Sequence, residues 1–400
     1  MMKIALFSPL NPVKTGISDY TEEMLLELAQ FFTIDLYIAP DYEPENKSLL
    51  SGFQVFTFNP DEFDPADYFG IVYHMGNYYA GHSYIYESLK RFPGIIVLHD
   101  YVLQDFYAER FDATGDFSQY KDLQVKAYGK AGEEIAHQLA DKSRIPIWES
   151  DMAFEFPLNE EIVEYAQGLI VHSEFIAHKI RQKTDKPLAF IPHHGHVLKS
   201  FDRAAIRKSL NIQSNELLIC SAGFINKNKR YDRVLAALEE LPELPFKYLI
   251  AGKDRGHLLK NCLSGKEDYV IRRDHLPIHE LEGIIAASDI CINLRYPTMG
   301  ESSGSLLRMM GYSKPTLVTN YGSYAEFPNY CVIKIDPDIN EKEMIKRSVS
   351  ALTEDEDFRI SLGKEAGDYV ARECGIKKCA GEYTAFINNV CSDNGRIKSV

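Results

Sequence analysis

LLICSAGFINKNKRYDRVLAALE, residues Leu217–Glu239, contains a complete structural unit. Leu217 to Ala222 is a short apolar run that reads as a buried strand, Gly223 opens a turn, and Tyr231 to Glu239 reads as a helix. Strand, short loop and helix in that order are the repeating unit of a parallel sheet covered by helices. The question is how often the unit recurs on either side.

It recurs through most of the chain. Downstream, Lys247 to Ala251, Tyr269 to Ile271, Ile290 to Leu294, Thr316 to Val318 and Cys331 to Ile335 read as strands, each followed by a loop or helix. Upstream, Ile4 to Phe7, Ile34 to Ile38, Gln54 to Phe58, Ile71 to His74, Ile95 to Leu98, Leu169 to Val171 and Leu188 to Ile191 form an equivalent series. The first helix is expected from about Ser18 to Gln30, with Met24, Leu25 and Leu28 on one face. Residues 104 to 150 interrupt the rhythm with a polar and aromatic stretch followed by a helix near Leu123 to Leu139, an insertion. Two alternating series of similar size predict two α/β domains joined near Pro192 to Phe201, followed by a helical tail from about Asn340 to Val390. The expected boundaries are 1–195, 196–375 and a C-terminal helix and tail over 376–400 that packs back on the first domain.

The chain has 400 residues, enough for two or three domains with substantial cores. Its 44 Lys and Arg against 58 Asp and Glu give a net charge of −14, which argues against a nucleic-acid backbone as partner. A local basic pocket for a small anion remains compatible with that total. No apolar stretch approaches the roughly 18 to 20 residues of a membrane span, so neither a signal peptide nor a transmembrane helix is expected. The seven cysteines, 220, 262, 291, 331, 374, 379 and 391, are odd in number, and several lie inside apolar runs. A reduced, cytoplasmic protein with core thiols follows. Cys374 and Cys379 lack a second ligand pair nearby and read as structural rather than metal-binding.

Ligands of open parallel sheets bind beyond the carboxyl ends of strands, so the strand-end loops carry the functional question. Five are unusual. Pro9 to Tyr20 places Gly16 just before a helix, with Ser18 as the expected N-cap; a turn and an anion-facing backbone fit equally. His99 and Asp100 end the strand Ile95 to Leu98, where an imidazole can donate to a substrate oxygen. Ile191-Pro-His193-His194-Gly195-His196 has three histidines in four positions, but no helical pair and no nearby Cys or Glu completes a zinc site, so a hinge is the better reading. Gly223 to Arg230 combines a strand end, a glycine, three cations and a helix start, the elements of a diphosphate cradle. Gly300 to Pro315 surrounds Glu301 with Ser302, Ser303, Gly304 and Ser305 before an apolar helix that begins near Ser303. Small residues there let a sugar or phosphate approach backbone N–H groups, and Glu301 can accept from sugar hydroxyls.

Together these loops resemble those of retaining glycosyltransferases of family 4, and the resemblance covers Lys3 to about residue 390. Gly223 to Lys229 resembles the donor-phosphate motif, Gly300 to Pro315 the donor loop, Pro192-His-His-Gly195 the segment closing the first domain, and Gly16 the acceptor-side glycine loop. Two positions depart from the pattern. Phe224 stands where the family usually has Arg, and Met309, with Arg308 beside it, stands where the second glutamate would hold the donor ribose. A subgroup with Gly-Glu-Ser-Ser and an Arg in the helix accommodates both.

The resemblance implies a GT-B architecture, two Rossmann-like domains with parallel sheets facing across a cleft. It also implies transfer of a sugar from a nucleotide sugar to a glycan, glycolipid or protein acceptor with retention of configuration. By that resemblance His99 and Glu301 are the catalytic pair. Gly223, Asn226, Lys229, Arg230, Ser302, Ser303, Gly304, Ser305 and Arg308 bind the donor, and Gly16 and Asp100 lie on the acceptor side. Positive charge and N–H groups aimed at the leaving diphosphate need no metal or other cofactor. A nucleotide-sugar 2-epimerase and a non-catalytic partner of an active transferase are the alternatives. Lys121, Lys126 and Lys130 admit peripheral contact with a membrane, although interleaved Asp122, Glu133 and Glu134 favour a solvated helix. Tyr101, Phe106, Tyr107, Phe111, Phe117 and Tyr120 suit either a sugar-stacking wall or packing. Arg272-Arg273-Asp274-His275 is a candidate rim for the donor base.

Overall fold

A computed structural model of the chain describes residues 1–195, 198–241, 244–254, 258–259, 262–274 and 276–397. His196 and His275 lie outside the described residues. The chain divides into two units: residues 1–193, 299–302 and 376–400 form the first, and 194–298 and 303–375 the second.

The first unit is built on a seven-stranded sheet of β1 (Met2–Phe7), β2 (Phe32–Ile38), β3 (Gln54–Thr57), β4 (Gly70–Met75), β5 (Ile95–Leu98), β6 (Gly168–Val171) and β7 (Leu188–Phe190). The strands are ordered β3-β2-β1-β4-β5-β6-β7, all parallel. Ile4 to Phe7 of β1 and nearly all residues of β4 and β5 are buried, as a sheet covered on both faces requires. The tail helix Ile376–Ile397 completes this core: Cys379, Ala380, Tyr383, Ile387 and Val390 join Ile4, Leu6, Met24, Leu25 and Ile95 in one apolar cluster.

The second unit has a six-stranded parallel sheet of β8 (Leu217–Ala222), β9 (Phe246–Ala251), β10 (Val270–Arg273), β11 (Ile290–Asn293), β12 (Thr316–Thr319) and β13 (Ile333–Ile335). Its order is β10-β9-β8-β11-β12-β13. Each sheet therefore reverses its winding at one place, between β1 and β4 in the first unit and between β8 and β11 in the second. Those are the switch points at which parallel sheets open a crevice for ligands.

The local differences from expectation have physical causes. The first helix runs Gly16–Leu28, because Thr15 and not Ser18 caps it: the Thr15 hydroxyl accepts the Ile17 N–H. Residues 104–150 are more helical than their polarity suggested, with helices Gln104–Thr114, Phe117–Tyr128 and Lys130–Ala140. The single helix expected near Leu123 to Leu139 is interrupted at Gly129, whose φ is 59°. Tyr101, Phe106, Tyr107 and Tyr120 are buried, so four of the six aromatics are core side chains and not an exposed wall. Lys121 and Lys126 pair with Glu133 and Glu164. Among the described residues no helix is long and apolar enough to cross a membrane.

Candidate functional site

At the switch point of the second unit, β8 leads into Gly223, whose φ of +112° only glycine adopts freely. A side chain there would also meet Lys229 Nζ, 3.2 Å from the Cβ position. Lys229 is therefore folded back over the strand end, only 7% exposed, in the short 3₁₀ turn Lys227–Lys229. The loop after β11 lies alongside, with the Tyr296 N–H donating to the Asn228 carbonyl at 2.7 Å. From β11 itself, Asn293 donates to Ser305 Oγ at 3.0 Å, and Ser303 Oγ is 3.1 Å from Ser305 Oγ. Ser303 caps the helix Gly304–Gly311 by accepting the Leu306 N–H. Gly223, Lys229, Ser303, Gly304 and Ser305 are thus brought to the ends of two adjacent strands, where a cation and a helix N-terminus favour an anion. Asn226 is exposed in the same turn.

Two of the expected donor cations are engaged elsewhere. Arg230, at φ 58°, turns its guanidinium onto the buried carboxylate of Glu341, with Nε 3.0 Å from Oε1. Arg308, 5% exposed, donates to Glu282 at 2.6 Å, and Lys199 meets the other oxygen of the same carboxylate at 3.2 Å. Met309, where a second glutamate was expected, is fully buried in the core with Leu218, Leu249 and Ile285. The sequence reading missed Asn293 and Arg295. Both were marked by a polar residue ending or following the apolar run from Ile290. Arg295 stacks over the ring of buried Tyr324 and, with Arg272, acts electrostatically on the buried phenol of Tyr231.

Gly16, His99, Asp100, Glu301 and Ser302 belong to the first unit. Gly300, at φ +81°, lies so close to Tyr101 and Ile176 that a Cβ would fall 2.7 and 2.8 Å from their atoms. The Met299 carbonyl accepts the N–H groups of Tyr101 and Val102, and Glu301 accepts the Met299 N–H at 2.6 Å. One oxygen of Glu301, expected to grip sugar, therefore holds its own loop. Asp100 likewise accepts the Asn77 N–H at 2.8 Å, which ties β5 to the loop after β4. Gly16 is exposed, with open space where a Cβ would be.

His99 lies in a cluster that the sequence reading recognised only in part. Four successive strands of the sheet each deliver an imidazole at or just past the carboxyl end: His74 from β4, His99 after β5, His172 after β6 and His193 after β7. Their rings surround Tyr20, at centroid distances of 5.7, 4.9, 5.3 and 4.8 Å respectively. The Tyr20 hydroxyl bonds the Tyr383 hydroxyl of the tail helix at 2.6 Å. Among the described residues no group of His, Cys, Asp and Glu is arranged to hold a metal ion.

Burial governs the charge state of His99, His172 and the nearby His82. It pushes His82 and His172 down to about 4, and His99, which also feels its neighbouring imidazoles, well below the ordinary histidine value. Burial pushes Asp105, next to Glu109 and Glu149, up to about 7. The two shifts act oppositely on stability. A histidine with a depressed folded pKa contributes stability that is complete above about 6.5 and is lost as pH falls toward 4, about 3 kcal/mol each for His82 and His172. Asp105 gains a proton on folding and returns about 4 kcal/mol over much the same range. The first unit is expected to lose a net ~2 kcal/mol or more between pH 7 and pH 4, the larger figure reflecting His99. Urea unfolding at the two pH values measures it, and Asp105→Asn should enlarge the loss. Stability that stays level or rises on acidification would exclude neutral buried imidazoles.

No protein-family model and no curated protein sequence matches this chain. Solved structures match over nearly its whole length. Sucrose-phosphate synthase from Thermosynechococcus elongatus superposes with a TM-score of 0.69 at 14% identity, covering 98% of this chain and 100% of that one. Anabaena HepE, solved with UDP and glucose, gives 0.64 at 14% identity over 97% and 100% of the two chains. WaaG, a glycosyltransferase involved in lipopolysaccharide biosynthesis, gives 0.60 at 13% identity over 96% and 99%. The chain has the GT-B fold, two Rossmann-like domains with a helical tail.

Proposed function

We propose that the protein is a glycosyltransferase of the retaining, family 4 type that moves a hexosyl group from a nucleotide sugar to a glycan, lipid-linked or protein acceptor. The observation that carries the reading is the arrangement at the switch point of the second unit: Lys229 held over Gly223, beside the Ser303-capped helix and the Asn293–Ser305 pair. Such a site stabilises negative charge on a departing diphosphate without a metal. HepE, with the same fold, is described in complexes with UDP and with UDP-glucose, which makes a uridine diphosphate sugar the first donor to try.

In this mechanism Lys229 and the N–H groups opening the helix Gly304–Gly311 take up charge as the bond from the anomeric carbon to the diphosphate breaks. Gly223 lets the phosphates approach backbone, and Asn226 and Ser302 line the approach. His99 donates a hydrogen bond to the sugar, Glu301 accepts from its hydroxyls, and Gly16 and Asp100 shape the acceptor side. The protein acts on the cytoplasmic side of the cell.

The experiment is incubation with a panel of nucleotide sugars and a readout of released nucleoside diphosphate. Release dependent on an acceptor supports transfer, and conversion of the sugar nucleotide without acceptor identifies an epimerase. The pairing of Arg230 and Arg308 with carboxylates favours one further reading, a non-catalytic partner of an active transferase. Absence of donor binding by calorimetry together with capture of a transferase chain would select it.

A further inference from the structure

The hydrogen bonds leading to His99 have a direction. Ser8 Oγ donates to the Pro9 carbonyl at 3.0 Å, and a carbonyl can only accept. Ser8 Oγ is 2.7 Å from Thr21 Oγ1, and with its own hydrogen on Pro9 it accepts the hydrogen of Thr21. Thr21 Oγ1 is in turn 3.4 Å from His74 Nδ1, which lies 3.0 Å from His99 Nε2. The Thr21 hydrogen is spent on Ser8, so its oxygen can only accept from His74. A bare His74 Nδ1 would have one lone pair for two incoming hydrogens, whereas one N–H forks readily between two acceptors.

We propose that Thr21 and His74 are positioning residues that fix His99 as the neutral tautomer carrying its hydrogen on Nδ1, so that His99 presents a donor to a sugar oxygen of the substrate. His74 Nδ1–H donates to His99 Nε2, which leaves Nδ1 as the nitrogen that bears the hydrogen. Ser8, Thr21 and His74 are each 1% exposed and His99 8%, so water does not compete for these bonds. Burial among imidazoles keeps the ring from taking a second proton near neutrality. The groups facing His99 are His74, His82, His172 and His193, the phenol of Tyr20 and, from the adjoining residue, Asp100. The His172 imidazole donates through Nδ1 to the Ile191 carbonyl at 2.8 Å, so its other nitrogen adds no competing hydrogen. The donor tautomer follows from this chain of bonds; its use on a sugar rests on the proposed glycosyl transfer.

The test is imidazole ¹⁵N NMR on the full-length protein labelled at histidine, with His99→Asn used to assign the His99 signals. The expected spectrum shows a protonated Nδ1 and a bare Nε2 at His99. Thr21→Val, which keeps the shape and removes the acceptor, is expected to shift His99 toward the Nε2–H form, and Thr21→Ser to restore the original signals. A wild-type His99 protonated on Nε2, or a Thr21→Val spectrum unchanged at His99, overturns the assignment. Thermal unfolding of both variants shows that the fold is retained. Turnover of the donor identified in the nucleotide-sugar screen is a separate reading: kcat falls about tenfold in Thr21→Val with KM little changed and recovers in Thr21→Ser. Protein that turns over no donor while showing the expected tautomers removes the proposed function and leaves the tautomer assignment standing.

Discussion

Lys229→Ala is expected to lower turnover of the nucleotide sugar by roughly 10²- to 10³-fold, the range seen when one preorganised stabiliser of a developing oxyanion is removed. Lys229 is 7% exposed and its ammonium lies over the glycine that follows β8, so its position is set before any ligand arrives. Charge that grows on a leaving diphosphate then meets a cation whose desolvation was met on folding. The loss should therefore appear mainly in kcat, with a smaller rise in donor KM. Arg230→Gln is the contrast within the same turn. Its guanidinium is held by Glu341, so this substitution should leave kcat within about tenfold and instead lower the unfolding midpoint. Steady-state kinetics and thermal unfolding of both variants provide the comparison. A folded Lys229→Ala protein with near wild-type turnover would remove the phosphate assignment, and equal losses from the two variants would remove the distinction between them.

The sheets were legible in the sequence because the central strands are short apolar runs buried on both faces, a pattern that survives without knowledge of the rest of the fold. Helix boundaries were less so, since they depend on which hydroxyl turns back to cap. Thr15 and Ser18 both qualify by type, and Ser18 is drawn off by the Val13 carbonyl, to which its hydroxyl donates at 2.7 Å. The insertion was misjudged for a related reason. Gln104, Tyr120 and Gln124 look like surface residues, yet they are buried and satisfy one another through side-chain hydrogen bonds.

Site residues followed the same division. The placement of Lys229, Ser303 and Ser305 at strand ends was readable from loop composition, because chain connectivity alone brings each to its strand end. The partners of Arg230 and Arg308 were not, since Glu341 and Glu282 lie 111 and 26 residues away and reach them only through tertiary packing. The histidine cluster lies between these cases. His74, His99 and His172 each stand at the end of an apolar run, but their convergence on Tyr20 needs the strand order β4-β5-β6 beside β1.

The helix after Ser303 gives the second large effect. Glu282→Ala is expected to destabilise the second unit by about 3 to 5 kcal/mol, because it removes a carboxylate paired with the buried charge of Arg308. Lys199 cannot compensate, being half exposed and of the same sign. Replacing both partners, as in Glu282→Leu with Arg308→Met, should recover most of the loss, since apolar pairs of similar volume are often neutral or better than a buried ion pair. Urea unfolding of the single and double variants measures the coupling. The double variant also decides what Arg308 does. If the arginine serves packing between the helices Ile278–Ala287 and Gly304–Gly311, a folded double variant keeps its donor KM. If it holds the donor, as the residue next to the missing glutamate would, the double variant folds and loses donor affinity. The 2.6 Å bond to Glu282 and the full burial of Met309 beside it support the first outcome. A helix that places an ion pair inward at 308 and an apolar side chain at 309 has both positions committed to the interior of the second unit.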